Sequence, residues 1–298
     1  SGKSVSAKAI MGILAKNGTI DRGQITFSYY RNPEERVTRE ILQMKKEEIR
    51  RHINGKRIAM VFQDPMTSLN PLMPVGKQIM EGMIWHYHTP KEEAYKKALE
   101  LMKLVGITDA EKRIKNYPHQ LSGGMRQRIV IAIALACDPE LLICDEPTTA
   151  LDVTIQSKIL ELIQEIQKKR QLSVIYITHD LGVVAKVADY VNVMYAGKIV
   201  ETGSLEDIFD HTAHPYTIGL FHSIPSLEKD THRLQPIAGL MPDPANLPSG
   251  CAFHPRCPYA DDLCSQQEPS AIELSPGHLC RCHHCDRVKA GKETETNA

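Results

Sequence analysis

The sequence predicts an α/β fold that carries a helical insert and a Cys-rich C-terminal extension. Beyond residue 138, short apolar runs alternate with amphipathic helical patterns, which is typical of parallel βαβ units. Residues 70–135 have helical spacing, and six of the eight cysteines lie within residues 251–285. We therefore expect a first domain at residues 1–212, with its helical insert at about 70–135, and an extension at residues 213–298.

The βαβ region predicts strands at 141–144, 173–177 and 191–195, separated by helices at 154–169 and 181–188. Strands that alternate with helices pair in parallel through right-handed crossovers. We therefore expect these three strands to belong to parallel βαβ units.

The sequence of the first half of the chain predicts strands and helices that do not alternate regularly. Residues 17–62 indicate strands and connections that end in an apolar strand at 58–62. The charge-rich segment 39–52 has the helical spacing of a solvated surface helix. Thr89 predicts a capping box for a helix at 90–105.

Composition narrows the class of protein. The formal net charge of +0 and the pI near 7.2 give no indication of a nucleic-acid-binding surface. No apolar run reaches the roughly 20 residues that a membrane-spanning helix requires. We expect a cytosolic chain, so the clustered cysteines favour a metal site over disulfides.

Two segments have the pattern of an anion site. A Gly-rich turn precedes an apolar helix at 129–137, and the N–H groups at such a helix start can hold an anion. The apolar strand at 141–144 ends in two adjacent carboxylates, Asp145 and Glu146, which suits a metal–phosphate site at the carboxyl edge of a parallel sheet. The Gly-rich turn reads Leu121, Ser122, Gly123, Gly124, Met125, Arg126, Gln127.

The chain opens with Ser1, Gly2, Lys3 and Ser4, which match the second half of the phosphate-binding motif G-x-x-x-x-G-K-S/T. Val5 then begins a helical pattern. The first half of the motif and its strand lie outside the sequence, so we expect these residues to be the remainder of a longer reading frame. A chain of these residues alone should bind ATP weakly and fold marginally. Equal nucleotide affinity with the upstream segment restored would contradict this.

These motifs, in this order and spacing, resemble the P-loop, the signature motif and the Walker B motif of ABC-type ATPases. Met125 and the segments 65–71 and 214–220 are similar to those of the ATP-binding subunits of bacterial oligopeptide and dipeptide importers. The resemblance implies a P-loop NTPase fold of the ABC nucleotide-binding type, and ATP hydrolysis that powers peptide import.

The resemblance also implies roles for single residues. Ser4, Gln63 and Asp145 would hold Mg²⁺, and Gln63 resembles the Q-loop glutamine. Glu146 would orient or deprotonate the attacking water, and His179 resembles the histidine that contacts the γ-phosphate. The residues expected to contact ATP are Ser1, Gly2, Lys3, Ser4, Val5, Gln63, Asp145, Leu121, Ser122, Gly123, Gly124, Met125, Gln127 and Asp152.

The same resemblance implies an assembly. The turn around Ser122 would close over ATP bound to a second ATPase subunit, usually a different chain, and the loop ending at Asp152 would contact that subunit. The further partners would be two transmembrane permease subunits and an extracellular peptide-binding receptor, without nucleic acid. The chain would lie at the cytoplasmic face of the bacterial membrane.

Four cysteines of the extension, with the spacing C-x₅-C-x₆-C-x₁₇-C, indicate a metal staple in a Pro-rich loop. They are Cys251, Cys257, Cys264 and Cys282. The family resemblance implies a 4Fe–4S cluster, with zinc and a metal-free loop as the alternatives. Cys280 and Cys285, with His283 and His284, compete for the fourth ligand position.

Other functions stay open. One is an ATPase of the same superfamily that acts in DNA repair or translation, against which the neutral charge and the importer-like tail argue. Another is a non-catalytic fragment that assembles with a partner without hydrolysing ATP. A third keeps the class and changes the cargo to nickel or glutathione.

Overall fold

The computed structural model describes residues 2–32, 34–148, 152–223 and 237–285. Contacts between residues divide the chain into two compact units. The N-terminal unit is Ser4–His179, and the C-terminal unit is Asp180–Ala298 together with Ser1–Lys3. This division lies after His179, whereas the sequence predicts a boundary at residue 212.

The centre of the N-terminal unit is a three-stranded parallel sheet in the order β3-β4-β5. The predicted strands at 141–144 and 173–177 are confirmed. An antiparallel hairpin, β1-β2, forms a separate sheet. The strands are β1 (Thr26–Asn32), β2 (Glu35–Glu40), β3 (Ile58–Val61), β4 (Leu141–Asp145) and β5 (Ser173–Ile177).

Eight helices accompany these strands in the described residues. Four of them form most of the predicted helical insert, and their apolar faces share one buried core with β4 and α8. Met102 and Val105 are fully buried there. The helices are α1 (Lys3–Ile10), α2 (Lys46–His52), α3 (Pro65–Ser68), α4 (Val75–Tyr87), α5 (Lys91–Leu104), α6 (Ala110–Arg113), α7 (Gly123–Leu135) and α8 (Val153–Arg170).

Two local predictions in this unit are wrong. The segment 39–52 is α-helical only from Lys46, because its first residues complete β2 and a 3-10 turn at Ile41–Gln43 directs Ile41 into the core. The N-cap of α5 is Pro90 and not Thr89. The backbone N–H of Thr89 instead donates to the carbonyl of Met83 and closes α4.

The C-terminal unit is built on a four-stranded sheet in the order β6-β7-β9-β8, in which every pairing is antiparallel. The prediction that the strand at 191–195 belongs to a parallel unit is therefore wrong. Ala196 and Gly197, both with positive φ, connect β6 to β7 in a two-residue hairpin, which forces antiparallel pairing. The strands are β6 (Tyr190–Tyr195), β7 (Lys198–Ser204), β8 (Ile272–Ser275) and β9 (His278–Cys280).

Four helices of this unit are described: α9 (Leu181–Val187), α10 (Leu205–Phe209), α11 (Pro215–His222) and α12 (Asp262–Gln266). The predicted helix at 181–188 is confirmed to within one residue. No helix among the described residues is both long enough and apolar enough to cross a lipid bilayer.

Candidate functional site

The carboxyl ends of three parallel strands meet at one edge of the central sheet. Val61 of β3 is in register with Cys144 of β4, and Asp145 is in register with Ile177 of β5. Polar side chains lie at or within two residues of each strand end, namely Gln63, Asp145 with Glu146, and His179. Parallel strands therefore bring together residues that are far apart in the sequence.

Glu146 is the residue on which the other two converge. Gln63 Nε2 donates to Glu146 Oε2 at 3.0 Å, and Nδ1 of His179 lies 2.9 Å from Glu146 Oε1. The side chain of Glu146 is 19% exposed and that of His179 is 67% exposed. The carboxylate is thus held from two sides, while the imidazole faces solvent.

The backbone of Glu146 adopts a left-handed conformation with φ of 48°. A non-Gly residue in this region is strained by about 1–3 kcal/mol and persists only where its surroundings hold it. Here the N–H of Glu146 donates to the carbonyl of Ile177 at 2.8 Å. This bond turns the chain at the strand end, so that Glu146 departs from the direction of β4.

Asp145, the last residue of β4, is buried and accepts a hydrogen bond from Ser4 Oγ at 2.8 Å. A carboxylate and a hydroxyl are oxygen ligands of the kind that Mg²⁺ takes in phosphate-binding sites. The pair that the sequence predicts for Mg²⁺ is therefore adjacent in the structure, and its chemistry fits that ion.

The opening residues lead into α1. Gly2 has φ of 94°, which L side chains rarely adopt, and Lys3 is the first residue of the helix. Val5 is 61% exposed. Ser1 lies outside the described residues.

The predicted Gly-rich turn forms the N-terminus of α7. Ser122 is the N-cap, and its Oγ accepts from the N–H of Met125 at 3.4 Å. A Cβ on Gly124 would lie 2.9 Å from Cγ2 of Ile155 in α8. Gly124 is therefore required for close helix packing, in addition to the role in anion binding for which the sequence singles it out.

Gln127 and Arg126, which follow this turn, differ in their surroundings. Gln127 is 1% exposed, and its Nε2 has no hydrogen-bond partner among the described residues. Arg126 Nε donates to the carbonyl of Pro118 at 2.7 Å, and its guanidinium also contacts Sδ of Met66 at 2.7 Å. No local sequence pattern indicates this contact of Arg126, since Met66 lies in α3, 60 positions away.

Asp152 is the N-cap of α8, where its carboxylate accepts from the N–H of Ile155 at 3.0 Å. Thr148, at the start of the predicted loop, is buried. Residues 149–151 lie outside the described residues, so the rest of that loop stays a prediction.

The four predicted metal-binding cysteines are free thiols in the C-terminal unit, and among the described residues no three of their Sγ atoms lie within 4.8 Å of one another. Burial is the main cause that raises the pKa of Cys257 to about 11, and the negative charges of the other three thiolates raise it further. A hydrogen bond between Cys280 and Cys285 raises the pKa of Cys285 to about 12. Cys285 also interacts with Cys282, since its Sγ lies 3.4 Å from the carbonyl oxygen of Cys282, so the fourth ligand position stays a prediction.

A mixed group of possible ligands, which the sequence did not indicate, overlaps this cluster. Ligand atoms of Asp261, Cys264 and His284 all lie within 4.8 Å of one another. His284 Nε2 is 2.9 Å from an oxygen of Asp261, and His284 is buried at that atom without a well-aligned hydrogen bond. Cys264 therefore has two possible sets of co-ligands.

The importer-like segment at 214–220 starts α11 and is anchored by a buried carboxylate. Glu201 accepts from the N–H groups of Ala213 at 2.7 Å and His214 at 3.1 Å. His278 Nε2 lies 3.0 Å from the same carboxylate. His214 is in turn the N-cap of α11, with Nδ1 accepting from the N–H of Tyr216 at 3.0 Å.

Comparison with known proteins places this geometry in a family. The ABC transporter family matches residues 1–149, and the family described as "Oligopeptide/dipeptide transporter, C-terminal region" matches residues 200–264. The dipeptide transport ATP-binding protein DppD of Lactococcus lactis is 51% identical over 94% of this chain and 78% of its own length. The oligopeptide transport ATP-binding protein OppD of Bacillus subtilis is 51% identical over 94% of this chain and 76% of its own.

Solved structures agree with the sequence relatives. A dimeric ATP-binding cassette in a post-hydrolysis state, bound to ADP and Pi, aligns with a TM-score of 0.57 at 26% identity. The alignment covers 68% of this chain and 81% of that one. The chain therefore belongs to the ABC transporter family, in the branch of ATP-binding proteins that carries the oligopeptide/dipeptide transporter C-terminal region.

Proposed function

We propose that this chain binds and hydrolyses ATP to energise the import of oligopeptides or dipeptides through an ABC transporter. The names of its relatives, dipeptide and oligopeptide transport ATP-binding proteins, support this cargo class. The proposal of ATP hydrolysis rests on the position of Glu146. Its carboxylate is held between Gln63 and His179, one residue after the buried Asp145.

In this proposal the P-loop residues bind the triphosphate of ATP, and residues at the edge of the sheet bind its Mg²⁺ ion. Lys3 neutralises the β- and γ-phosphates, while backbone N–H groups at residues 1–5 bind phosphate oxygens. Ser4, Asp145 and Gln63 hold Mg²⁺, which when bound offsets the charge that develops on the phosphates. The hydrogen bond between Ser4 and Asp145 supports this assignment, because it sets two of the three oxygen ligands side by side.

Glu146 accepts a proton from the attacking water or orients it toward the γ-phosphorus. His179 contacts the γ-phosphate and, through Nδ1, holds Glu146 in place. Gln63 holds the opposite oxygen of Glu146. The strained φ of Glu146 supports this role, because strain of this kind is concentrated at functional sites.

The signature turn acts on a second ATPase subunit. Backbone N–H groups around Ser122 and Gly123, at the N-terminus of a 13-residue helix, would bind the γ-phosphate of that subunit. Asp152 and Gln127 lie in segments expected at the same interface. The remaining partners are two permease subunits and an extracellular peptide receptor, with this chain peripheral at the cytoplasmic face of the membrane.

The test is ATP hydrolysis by the full transporter in liposomes, with ATP enclosed and a peptide-loaded receptor outside. Receptor loaded with peptide should stimulate hydrolysis and drive peptide uptake, and the Glu146→Gln chain should support neither. Stimulation by nickel or glutathione instead would change the cargo. Stimulation by DNA or ribosomes, or full uptake with Glu146→Gln, would overturn the proposal.

We further propose that Cys251, Cys257, Cys264 and Cys282 hold a 4Fe–4S cluster. Four thiols, none of them in a disulfide, match the donor set that such a cluster takes, and the charges of Cys251, Cys264 and Cys282 act on Cys257. Anaerobic purification followed by iron, sulfide and zinc analysis should yield iron and sulfide. Cys257→Ser should lose both, whereas Cys285→Ser should keep them. Zinc that depends on Asp261 and His284 would favour the mixed ligand group, and absence of all metals would refute both sites.

A further inference from the structure

A cavity of about 470 Å³ lies within the N-terminal unit between the β1-β2 hairpin, α2 and the residues that lead into β3. Lys56 and Arg57 line it and precede β3, whereas the candidate catalytic residues follow the carboxyl ends of the strands. The cavity is therefore at the opposite edge of the sheet from Glu146. Its volume is within the range of pockets that hold small ligands.

The lining of this cavity is rich in cations. Arg31, Arg39, Lys56 and Arg57 contribute to it together with His52, and Glu48 is the only carboxylate among the described residues that line it. Because the formal net charge of the whole chain is +0, this local excess does not follow from a generally basic composition.

The carboxylates nearby leave part of this charge uncompensated. Glu35 pairs with Arg31, and Glu140 pairs with Arg57. Glu48 is directed to a backbone group, since its Oε2 accepts from the N–H of Lys45 at 2.9 Å.

Two of the lining cations have no such partner. Arg39 and Lys56 form no ion pair with any described residue, and Nζ of Lys56 lies 4.9 Å from the ring centre of Tyr87. The wall between them is ordered by Arg57, which stacks over the ring of Tyr29 at 4.5 Å.

A second cavity of about 340 Å³ adjoins the first, because both are lined by His52 and Lys56. Arg51, Trp85, His86 and His88 complete its lining, and no carboxylate is among them. Burial lowers the pKa of His86, and the positive charges of Lys56 and His52 lower it further. Together the two cavities form a continuous basic region with aromatic walls.

We propose that these two cavities bind a phosphate-bearing anion at a site separate from the catalytic edge. Arg and Lys are the side chains that bind phosphate groups, Arg through paired N–H donors and Lys as a point charge. Such a ligand would place a negative charge beside Arg39 and Lys56, which form no ion pair with any described residue. It comes either from a soluble phosphorylated molecule or from the headgroup of an anionic phospholipid, and the two sources share the same chemistry.

Trp85 allows a direct test, because it is the single tryptophan of the chain and lines the second cavity. Its fluorescence is titrated in the purified full chain with inorganic pyrophosphate, against potassium chloride at matched ionic strength. A parallel titration uses vesicles of equal parts phosphatidylcholine and phosphatidylglycerol, against pure phosphatidylcholine. A saturable response to pyrophosphate assigns a soluble ligand, and a response only to the anionic vesicles assigns a headgroup.

The variant Arg39→Gln/Lys56→Gln should weaken the response at least about tenfold. The matched control Lys96→Gln/Lys168→Gln, which removes two exposed lysines that line neither cavity, should respond like the original chain. Circular dichroism checks folding, and Arg51→Gln serves as a second variant on an exposed position. No response to either probe, or equal responses from the original chain and both cavity variants, would overturn the proposal.

Discussion

Glu146 and His179 are in contact across 2.9 Å although 33 positions separate them in the sequence. The contact exists because β4 and β5 are parallel and adjacent, so that the residues following them emerge at one edge. A carboxylate that is held by an imidazole on one oxygen and by an amide on the other has a fixed direction. In the proposed mechanism, Glu146 is thus a base that needs little reorientation toward a water molecule at the γ-phosphate.

The first prediction concerns this carboxylate. Glu146→Gln should slow ATP hydrolysis by at least about a hundredfold, because the amide cannot take up the proton of the attacking water. Nucleotide binding should be retained, since the phosphate-binding groups are unchanged. Single-turnover hydrolysis and equilibrium binding of labelled ATP measure the two quantities. Exposed Glu165→Gln is the control, and wild-type hydrolysis in Glu146→Gln would contradict the assignment.

The second prediction concerns packing of the helical insert. A Cβ on Gly76 would lie 2.6 Å from the backbone oxygen of Ile114, which cannot move without displacing its segment. Gly76→Ala should therefore lower the free energy of unfolding by about 1–3 kcal/mol. Gly82→Ala, in the same helix, meets only Sγ of Cys137 at 3.1 Å and should change stability by less than about 1 kcal/mol. Urea unfolding measures the free energy of unfolding of both variants. Equal losses of stability would show that the structure relieves the clash at residue 76.

The third prediction concerns the carboxylate that anchors α11. Glu201→Ala removes the acceptor for Ala213, His214 and His278, and leaves buried donors without a partner. The C-terminal unit should lose about 3–5 kcal/mol of stability. Glu206→Ala, an exposed change on α10, should be nearly neutral. Hydrogen exchange at the N–H groups of Ala213 and His214 gives the local readout, and unchanged protection would contradict the expected anchoring.

The fourth prediction concerns pH. Burial lowers the pKa of His214 from 6.5 to about 4 in the folded chain. Between these values the unfolded chain binds a proton on His214 that the folded chain does not. The free energy of unfolding should therefore fall as the pH falls from 6.5 to 4, by a total on the order of 3 kcal/mol from this residue.

His214→Asn tests this, because Asn can accept the helix-capping hydrogen bond and does not titrate. Its stability should depend less on pH across that interval, whereas exposed His222→Asn should keep the original dependence. Denaturant unfolding at several pH values measures both. A pH profile of His214→Asn identical to that of the original chain would assign the acid sensitivity to other groups.

Much of the catalytic edge could be predicted because its signals are local. The apolar runs before Asp145 and His179 are short and bounded by polar turns, so both strands and their ends can be located. Parallel pairing then brings their ends together. The Gly-rich turn before an apolar helix is equally local, although α7 begins at Gly123 and not at the predicted residue 129.

Other features depend on contacts that no local pattern encodes. Arg126 and Met66 meet because α3 packs on α7, and Glu201 and His278 meet because β9 joins the edge of β7. The charge-rich segment 39–52 was predicted as a solvated helix, since its periodicity cannot show that Arg39 lines a cavity with Lys56. The Ala–Gly hairpin after β6 was missed because Ala is an unusual residue at positive φ.

The position of β7 between β6 and β9 has a consequence for the evolution of the tail. A strand that is paired on both sides becomes an edge strand when one neighbour is lost. Its unpaired N–H and C=O groups can then pair with another protein chain. Removal of the residues after 212 would remove β9 and leave β7 as an edge strand that is unpaired on one side. Glu201 would at the same time lose its contact with His278. The C-terminal extension is therefore not an independent module. A protein that lost it in evolution would also need changes in β7 that protect its exposed edge.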